Sequence, residues 1–523
     1  MIERADILLP VLDAAAMRAA DAFTIEELGI PGFTLMEIAG REAARMAADL
    51  LGKEPGNVLV CVGKGNNGGD GLVAARWLLE AGHHVHVLLT AAEENLSEDC
   101  RANLAVLTRR QEAGLAPNLV LMDAGTWSID DVAVLPAQLV IDALFGTGLE
   151  SALRSPYDDL VRAMNAHTAP ILALDIPSGL SATSGQAFDP CISAAATATM
   201  GALKAGHLLE DGPDVCGRIG VVDIGIPAGV LRKEASGFLS TDAWVSEDLR
   251  PRTRHDHKYS TGPTLIAGGS PAFPGAPVLA SRAAARIGSG YVVALGPDTI
   301  RSTLQESLDA IPVAGWKTDI PPPEAVTSLQ TELDTRWSKA RALLIGPGLG
   351  RDESTHDLIW SLLDRFDGPV VLDADALFAI QYDRERVAEA SGGRWILTPH
   401  EGELARLDPK THANRIKGVR HAASSWNCVV LAKGQPSITA APDGRVMING
   451  SGHPAAATAG SGDVLAGITA GLLAQGLEPF AAAAAGIHIG GTAAGHFVEQ
   501  GAAQSLVATD IIDALPNVLR QLV

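Results

Sequence analysis

Short runs rich in β-branched residues alternate with longer helical stretches along almost all of this 523-residue chain, and that alternation restricts its fold more than any other feature. "NVLVCVG" leads through a glycine-rich turn into "GLVAARWLLEAG". "HVHVLLT", "AQLVIDALFG", "PILALDIPSG" and "GRIGVVDIGIP" follow at helix-length intervals. Strands of this kind separated by helices pair in parallel, with helices on both faces. A second series begins at "GPTLIAGGS" and continues through "GYVVALG", "ARALLIGPG", "GPVVLDAD", "RWILTPHEGE" and "NCVVLAKG". Ahead of the first series, "DAAAMRAADAFTIEELGIPGFTLMEIAGREAARMAADLLG" reads as two helices broken at "GIPG". The chain is too long for one ordinary core. No convincing repeat relates the two series, so two different α/β domains are expected, over 1–235 and 240–523.

After Pro227 the pattern degrades. "KEASGFLSTDAWVSEDLRPRTRHDHKYSTGP" is polar and strand-poor, and it gathers Arg250, Arg252, Arg254, His255, His257 and Lys258. Two readings are open: a solvated linker, or a segment whose end, "HDHKYSTG", begins the next domain and leans toward a phosphate. The formal net charge of −21 repels nucleic acid and anionic membranes alike. Helix starts can still bind a small anion through backbone N–H groups. The five cysteines, Cys61, Cys100, Cys191, Cys216 and Cys428, are scattered and form no C-x-x-C, which suits a reducing compartment. "MIERADILLPVLD" shows no signal peptide, and "FAAAAAGIHIGGTAAGHF" reads as a packed helix rather than a membrane span. A soluble, cytoplasmic protein is expected.

Ligands of open α/β sheets bind beyond the carboxyl ends of the strands. Three such ends in the first series are polar: "GKGNNGGDG", "DALFGTGL" with Asp142 and Thr147, and "DIPSGL" with Asp175 and Ser178. Gly63, Gly65 and Gly68 have GxGxxG spacing, which alone is a weak signal. An ordinary dinucleotide loop leaves the helix start free for pyrophosphate. Asp70 in the first turn would compete with it, and Glu93 is poorly placed for a ribose. Asn67, Asp142 and Ser178 instead offer hard oxygens suited to a non-transition cation. Asp70 alone would pass as a helix cap, and Asp142 and Asp175 as turn formers. All three together at strand ends point to a site.

These motifs, with "GIPGFTLMEIAG" ahead of them, resemble the NAD(P)H-hydrate epimerase domain over about residues 10–230. The resemblance implies a Rossmann-like three-layer fold. It implies substrate contacts at Asn66, Asn67, Gly68, Gly69 and Asp70, and at Gly146, Thr147, Gly148, Leu149, Glu150, Ser151 and Ala152. Asp175 matches a further substrate contact and is the candidate catalytic residue here. A potassium ion would lie on Asn67, Asp142 and Ser178. Ile38 departs from the pattern, where a more polar residue is usual, but no implied contact depends on it.

In the second series "ATAGSGDVLAGITAGLL" runs a glycine turn straight into a helix, with Asp463 in its first turn. The N–H groups of Gly460, Ser461 and Gly462 can face a phosphoryl group. Asp463 is placed to accept a proton from an attacking hydroxyl, although the helix start should keep it ionised and therefore a weak base. The bland alternative is a capping Asp. No G-x-x-x-x-G-K-[ST] is present, which excludes a Walker-type site. His400 follows a strand and opens a helix, with Glu401 and Glu403 beside it.

"HKYSTGPTLIAGGS", "GAPVLA", "GPGLG", "LDADAL", "LTPHEGE", "LAKG" and "GSGD" together resemble the ADP/ATP-dependent NAD(P)H-hydrate dehydratase family, a ribokinase-like α/β fold, over about 240–520. The resemblance implies hydrate contacts at Ala276, at Gly348 or Gly350, at His400 and at Asp463. It implies nucleotide contacts at Lys433, Gly434, Gln435, Pro436 and Ser437 and at Gly462, with magnesium carried on the ADP or ATP. "LAKG" and "GSGD" are conservative departures.

A fusion of the two families implies repair of hydrated NADH and NADPH, with epimerisation of the R and S forms and dehydration of the S form. The implied partners are these hydrates and ADP or ATP, with no nucleic acid and no membrane, and the chain is expected to form a homo-oligomer. Two rivals stand beside this reading: a small-molecule kinase whose product keeps its phosphate, and a non-catalytic N-terminal binding module.

Overall fold

Seven strands of the N-terminal half lie parallel in one sheet. Their order is Leu119–Met122, His84–Leu89, Asn57–Val62, Leu139–Ala143, Ile171–Leu174, Ala196–Met200 and Arg218–Val222. Counted along the chain this is 3-2-1-4-5-6-7, so a crevice opens between the first and fourth strands, where the winding reverses. The computed structural model describes residues 8–410 and 414–523, and this sheet belongs to a unit spanning Leu9–Ser236. Alternate residues of Asn57–Val62 enter two separate cores. Val58, Val60 and Val62 pack with Leu35, Ala39, Leu72 and Leu104 of helices Gly32–Leu51, Asn66–Glu80 and Glu98–Glu112. Leu59 and Cys61 pack with Leu160, Val161 and Met164 of helix Tyr157–Ala166 on the other face. This makes the expected three layers, and each buried Val or Leu contributes about 1.5–3 kcal/mol.

The stretch read as a turn, Asn66–Asp70, is already helix: Gly65 caps Asn66–Glu80. Only glycine suits position 68, where a Cβ would lie 2.0 Å from the Gly63 carbonyl oxygen. The leading helices break at Gly29–Pro31 as expected, after an additional π turn over Phe23–Glu27. Strand Leu9–Leu12 pairs in parallel with Leu203–Lys204.

The second unit includes Gly237–Val523. Its parallel strands run Val313–Trp316, Tyr291–Pro297, Pro263–Ala267, Ala342–Ile345, Val370–Leu372, Ile396–Leu397 and Val429–Ala432. Ile438–Ala440 and Val446–Ile448 continue the sheet antiparallel, and Gly237–Leu239 pairs in parallel with the latter. Counted from Pro263, the first seven strands again run 3-2-1-4-5-6-7. The two units therefore share a strand order without sharing a sequence repeat.

Helix Ser461–Ala474 packs on strands Pro263–Ala267, Ala342–Ile345 and Val370–Leu372 and on helix Gly275–Arg286. At Gly467 a Cβ would meet the Ala280 carbonyl at 2.2 Å. The Ala/Gly-rich segment forms the largely buried helix Pro479–Gln500. Among the described residues no helix is long and apolar enough to cross a membrane.

The stretch after Pro227 is less featureless than its composition suggests. It holds helices Ala228–Glu234 and Asp242–Asp248 around strand Gly237–Leu239. Arg250 to Lys258 form neither helix nor strand and are exposed, as a solvated linker requires. Gly262, where "HDHKYSTG" ends, abuts Ala474, the last residue of helix Ser461–Ala474.

Candidate functional sites

In the first unit the switch point carries a closed set of hydrogen bonds. Asp142, the penultimate residue of its strand, has no exposed surface. Its Oδ1 accepts from Ser178 Oγ (2.7 Å) and the Leu144 N–H (3.2 Å), and its Oδ2 from the Ser178 N–H (2.8 Å). Ser178 Oγ accepts from the Phe145 N–H, and the Phe145 carbonyl accepts from Asn67 Nδ2 (2.9 Å). Asn67, Asp142 and Ser178 are thus brought together. Burial pushes Asp142 up to about 6 against the hydrogen bonds from Ser178 and Leu144. Asn67 Oδ1 is buried with no hydrogen-bond partner.

Asp175 follows strand Ile171–Leu174 in the left-handed region, with φ of 63°. Its Oδ1 accepts from Lys204 Nζ (2.5 Å) and from the Met200 N–H (3.3 Å). Among the described residues its Oδ2 accepts no hydrogen bond, and it lies 3.2 Å from where a Cβ of Gly146 would sit, which leaves that oxygen facing the Gly146 loop. Gly146 also lies against the Asn67 side chain. Asn66 is exposed beside buried Asn67, Gly68 and Gly69. Further along the loop Thr147 and Leu149 are half-buried, while Gly148, Glu150, Ser151 and Ala152 are exposed, and no contact ties these last three to Asp175.

Asp70 is the fifth residue of its helix and not in the first turn, so it does not block the N–H groups of the helix start. Burial holds its carboxyl well above the usual range, and Asp175 and Asp21 beside it act in the same direction. Burial likewise raises Asp21 to about 6, opposed by Lys204 and helped by Asp175. Asp21, Lys204 and His207 were not singled out by motif. Lys204 is the surprise, a lysine with 0% exposure. The only signal for it is its place just past an apolar strand.

In the second unit four parallel strand ends converge. Gly346–Gly350 follow Ala342–Ile345, Asp373 follows Val370–Leu372, Thr398 and His400 follow Ile396–Leu397, and Lys433 follows Val429–Ala432. Asp373 is buried and bonds Lys433 Nζ (2.7 Å) and Thr398 Oγ1 (2.8 Å) through Oδ1. Lys433 Nζ lies 3.6 Å from where a Cβ of Gly462 would sit. Asp463 is the third residue of helix Ser461–Ala474, behind Gly460 at φ 85°. Burial pushes it up to about 6; Asp373 and Asp375 add to the rise and Lys433 opposes it. The expectation that the helix start keeps Asp463 a weak base is therefore corrected. Desolvation comes first among the causes, and two neighbouring carboxylates add to it.

The loop Lys433–Ser437 is braced by Arg415, which donates to the carbonyls of Lys433 (2.8 Å) and Pro436 (2.5 Å). Ser437 Oγ donates to the Gly434 carbonyl and accepts its N–H, so Gln435 and Pro436 form the tip. Gly348, at φ 69°, sits against Ala276, its hypothetical Cβ 3.1 Å from that methyl group. The Gly350 N–H is taken by Asp375 Oδ2 (2.9 Å). His400 caps helix Glu401–Leu407: Nδ1 accepts from the Gly402 and Glu403 N–H groups, while the side chain stays 56% exposed. Arg415 was missed, since it stands in no spacing pattern of its own, and Asp373 stands in "LDADAL", a motif that by itself gave it no role.

Two parallel-sheet α/β units, each with an aspartate and a lysine at its strand ends, define a two-site enzyme. The family described as YjeF-related protein N-terminus matches residues 32–206, and the family described as NAD(P)H-hydrate dehydratase matches residues 264–517. Among similar proteins, the bifunctional NAD(P)H-hydrate repair enzyme Nnr of Salinibacter ruber is 44% identical, over 97% of this chain and 96% of its own. The enzyme of the same name from Moorella thermoacetica is 39% identical over 98% and 97%. The solved ADP/ATP-dependent NAD(P)H-hydrate dehydratase of Bacillus subtilis is 27% identical with a TM-score of 0.44, covering 55% of this chain and 98% of its own. The chain belongs to the bifunctional NAD(P)H-hydrate repair enzymes.

Proposed function

We propose that the N-terminal unit interconverts the R and S hydrates of NADH and NADPH and that the C-terminal unit dehydrates the S form at the expense of ADP or ATP. One observation carries the chemistry: Asp463, a carboxyl near neutrality at a glycine-led helix start, with the Lys433 ammonium beside it. Asp463 takes the hydroxyl proton as that oxygen attacks the terminal phosphorus of the nucleotide, and the shortened nucleotide leaves. Hydroxide is a poor leaving group and phosphate a good one. The C–O bond then breaks with phosphate departing, and the neighbouring carbon loses a proton to restore the double bond. Lys433 to Ser437 and Gly462 hold the nucleotide with its magnesium, and Ala276, His400 and Asp463 hold the hydrate. Of the two candidate glycines Gly348 is the better placed, because it lies against Ala276 while the Gly350 N–H is engaged.

In the first unit an enamine that has taken up water carries its hydroxyl on the carbon bound to the ring nitrogen. A proton delivered to that hydroxyl lets water leave, the nitrogen lone pair supports the cation, and water returns to the other face. Asp175 accepts the proton of the returning water, with two raised carboxyls near it, Asp21 at about 6 and Asp70 well above the usual range. Asn66–Asp70 and Gly146–Ala152 surround the substrate. Asn67, Asp142 and Ser178 fit a potassium ion, since Asn67 Oδ1 is an orphaned buried acceptor and Asp142 a buried carboxyl. Bound there, potassium supplies the charge that offsets Asp142. A cytoplasmic homo-oligomer belongs to the same reading.

The test follows the near-ultraviolet absorbance of reduced nicotinamide in mixed R and S hydrates, with ADP or ATP, magnesium and potassium. Complete recovery is expected, at a rate that identifies the donor. Recovery stalling at the S fraction would remove the epimerase. No recovery, with nucleotide consumed on another alcohol, would make the second unit a kinase.

A further inference from the structure

Lys204 has no exposed surface, and each of its three ammonium hydrogens has an acceptor: Asp175 Oδ1 at 2.5 Å, Thr199 Oγ1 at 2.9 Å and the Met200 carbonyl at 2.7 Å. A buried ammonium is tolerated only when saturated in this way. An apolar side chain of similar length would fill the space at lower cost, so packing does not account for the lysine. Its backbone is pinned as well, since Leu203–Lys204 pairs with Val11–Leu12.

His207 completes the arrangement from the other side. Its Nδ1 accepts the Lys204 N–H at 3.0 Å, so the ring proton must sit on Nε2, which donates to the Asp175 carbonyl at 3.0 Å. The ring is neutral. Burial and the Lys204 ammonium push it down to about 4, opposed by Asp175 and by its bond to the Asp175 carbonyl. Lys204 therefore holds the side chain of Asp175 and His207 its main chain, at a residue whose positive φ is unfavourable for any side chain. Asp21 and Asp70 are the other titratable groups that act on Asp175.

We propose that Lys204 and His207 are positioning residues for epimerisation: together they lock Asp175 so that Oδ1 is occupied and Oδ2 alone is presented to the Gly146 loop as the proton acceptor. This rests on the role given to Asp175 above. Lys204 and His207 touch no substrate and act through Asp175.

A double-mutant cycle on the full chain tests this. Conversion of pure R hydrate in the presence of nucleotide reports epimerisation, and conversion of pure S hydrate reports dehydration alone. Lys204→Met is expected to lower kcat on R hydrate about 10- to 100-fold, the value of a hydrogen bond to a charged group. KM should move less than about threefold and S-hydrate conversion should be unchanged. Lys204→Arg should fall between the two. In the Asp175→Asn background Lys204→Met should cost nothing further, because its route of action is gone. This double variant also removes both charges, so it folds without an uncompensated carboxylate. If Lys204→Met alone precipitates, Lys204→Arg and His207→Gln carry the test, each expected to lower kcat with KM held. Parent-like kcat in these variants, or effects that multiply across the cycle, overturns the clamp while leaving Asp175 as the base. Epimerisation that survives Asp175→Asn overturns both.

Discussion

The two units share a strand order and a pairing of aspartate with lysine, yet they use the lysine in opposite ways. In the first, Lys204 is fully buried and bonds Asp175, the proposed proton acceptor, directly. In the second, Lys433 is drawn off by Asp373 at 2.7 Å, and Asp463 rises to about 6 although an ammonium stands nearby. The difference matches the proton each must take. Water returning to a cation gives up its proton readily, so a carboxylate held in place suffices. An alcohol attacking phosphorus gives it up reluctantly, so its base gains from not being paired with the cation. The first consequence is reciprocal loss. Asp463→Asn should lower S-hydrate conversion about 10²- to 10⁴-fold and leave epimerisation intact, and Asp175→Asn should do the converse. Separate assays on the two pure hydrates decide it. A variant that damaged both reactions would break the division of labour.

Much of this was legible in the residues because backbone requirements leave marks. Gly68 must approach Gly63, and helix Ser461–Ala474 must begin behind a left-handed Gly460, so these glycines stand in patterns. The β-branched strands announced themselves for the same reason. Ala196–Met200 did not: "ATATM" holds no Val, Ile or Leu, and neighbouring strands on both sides define it as sheet. Asn66–Asp70 was misread as turn because two asparagines and two glycines are weak helix formers, whose helix is stabilised by packing under Met36 and against Gly63. Lys204, His207, Asp21 and Arg415 left no mark at all. Each acts through a side chain brought in from a distant segment, and a lysine in "GALKAG" looks the same whether it is exposed or sealed.

A second difference concerns the loops. Lys433–Ser437 is braced by two Arg415 hydrogen bonds, whereas Gly148, Glu150, Ser151 and Ala152 in the first unit lie exposed, with no such brace among the described residues. Arg415→Ala should therefore raise KM for the nucleotide about tenfold while KM for the hydrate stays put, a difference steady-state kinetics at fixed co-substrate resolves. Equal weakening of both would mean that Arg415 stabilises the whole strand-end cluster rather than one loop.

The diversion of Lys433 to Asp373 can be tested by pH. Asp463 must be ionised to act, so kcat/KM for S hydrate should fall on the acid side with a midpoint near its value of about 6. Asp373 raises Asp463 by like charge and also occupies Lys433. Asp373→Asn removes the first and frees the second, and both changes favour ionised Asp463. The acid limb should move to lower pH. A shift to higher pH, or none, would show that Lys433 does not respond to Asp373.

The smallest effect separates the units by stability. Native Asp142 holds its proton up to about 6, whereas in the unfolded chain it would titrate near 3.8. Between those values the native state binds more protons, so this group's contribution to stability declines as pH rises through the window and stays lowered above it. A cation on Asn67, Asp142 and Ser178 needs the ionised carboxylate, and its binding adds stability by mass action. Potassium should therefore raise Tm by about 2–4 °C at pH 7.5 and by much less at pH 5, and Ser178→Ala should erase the gain. Asp463 is raised to a similar degree but has the Lys433 ammonium near it, which disfavours a second cation, so its variants should leave the potassium response unchanged. A potassium gain that survived Ser178→Ala but vanished in Asp463→Asn would place the cation in the wrong unit, and with it the contrast between a carboxylate offset by an ion and one kept as a base.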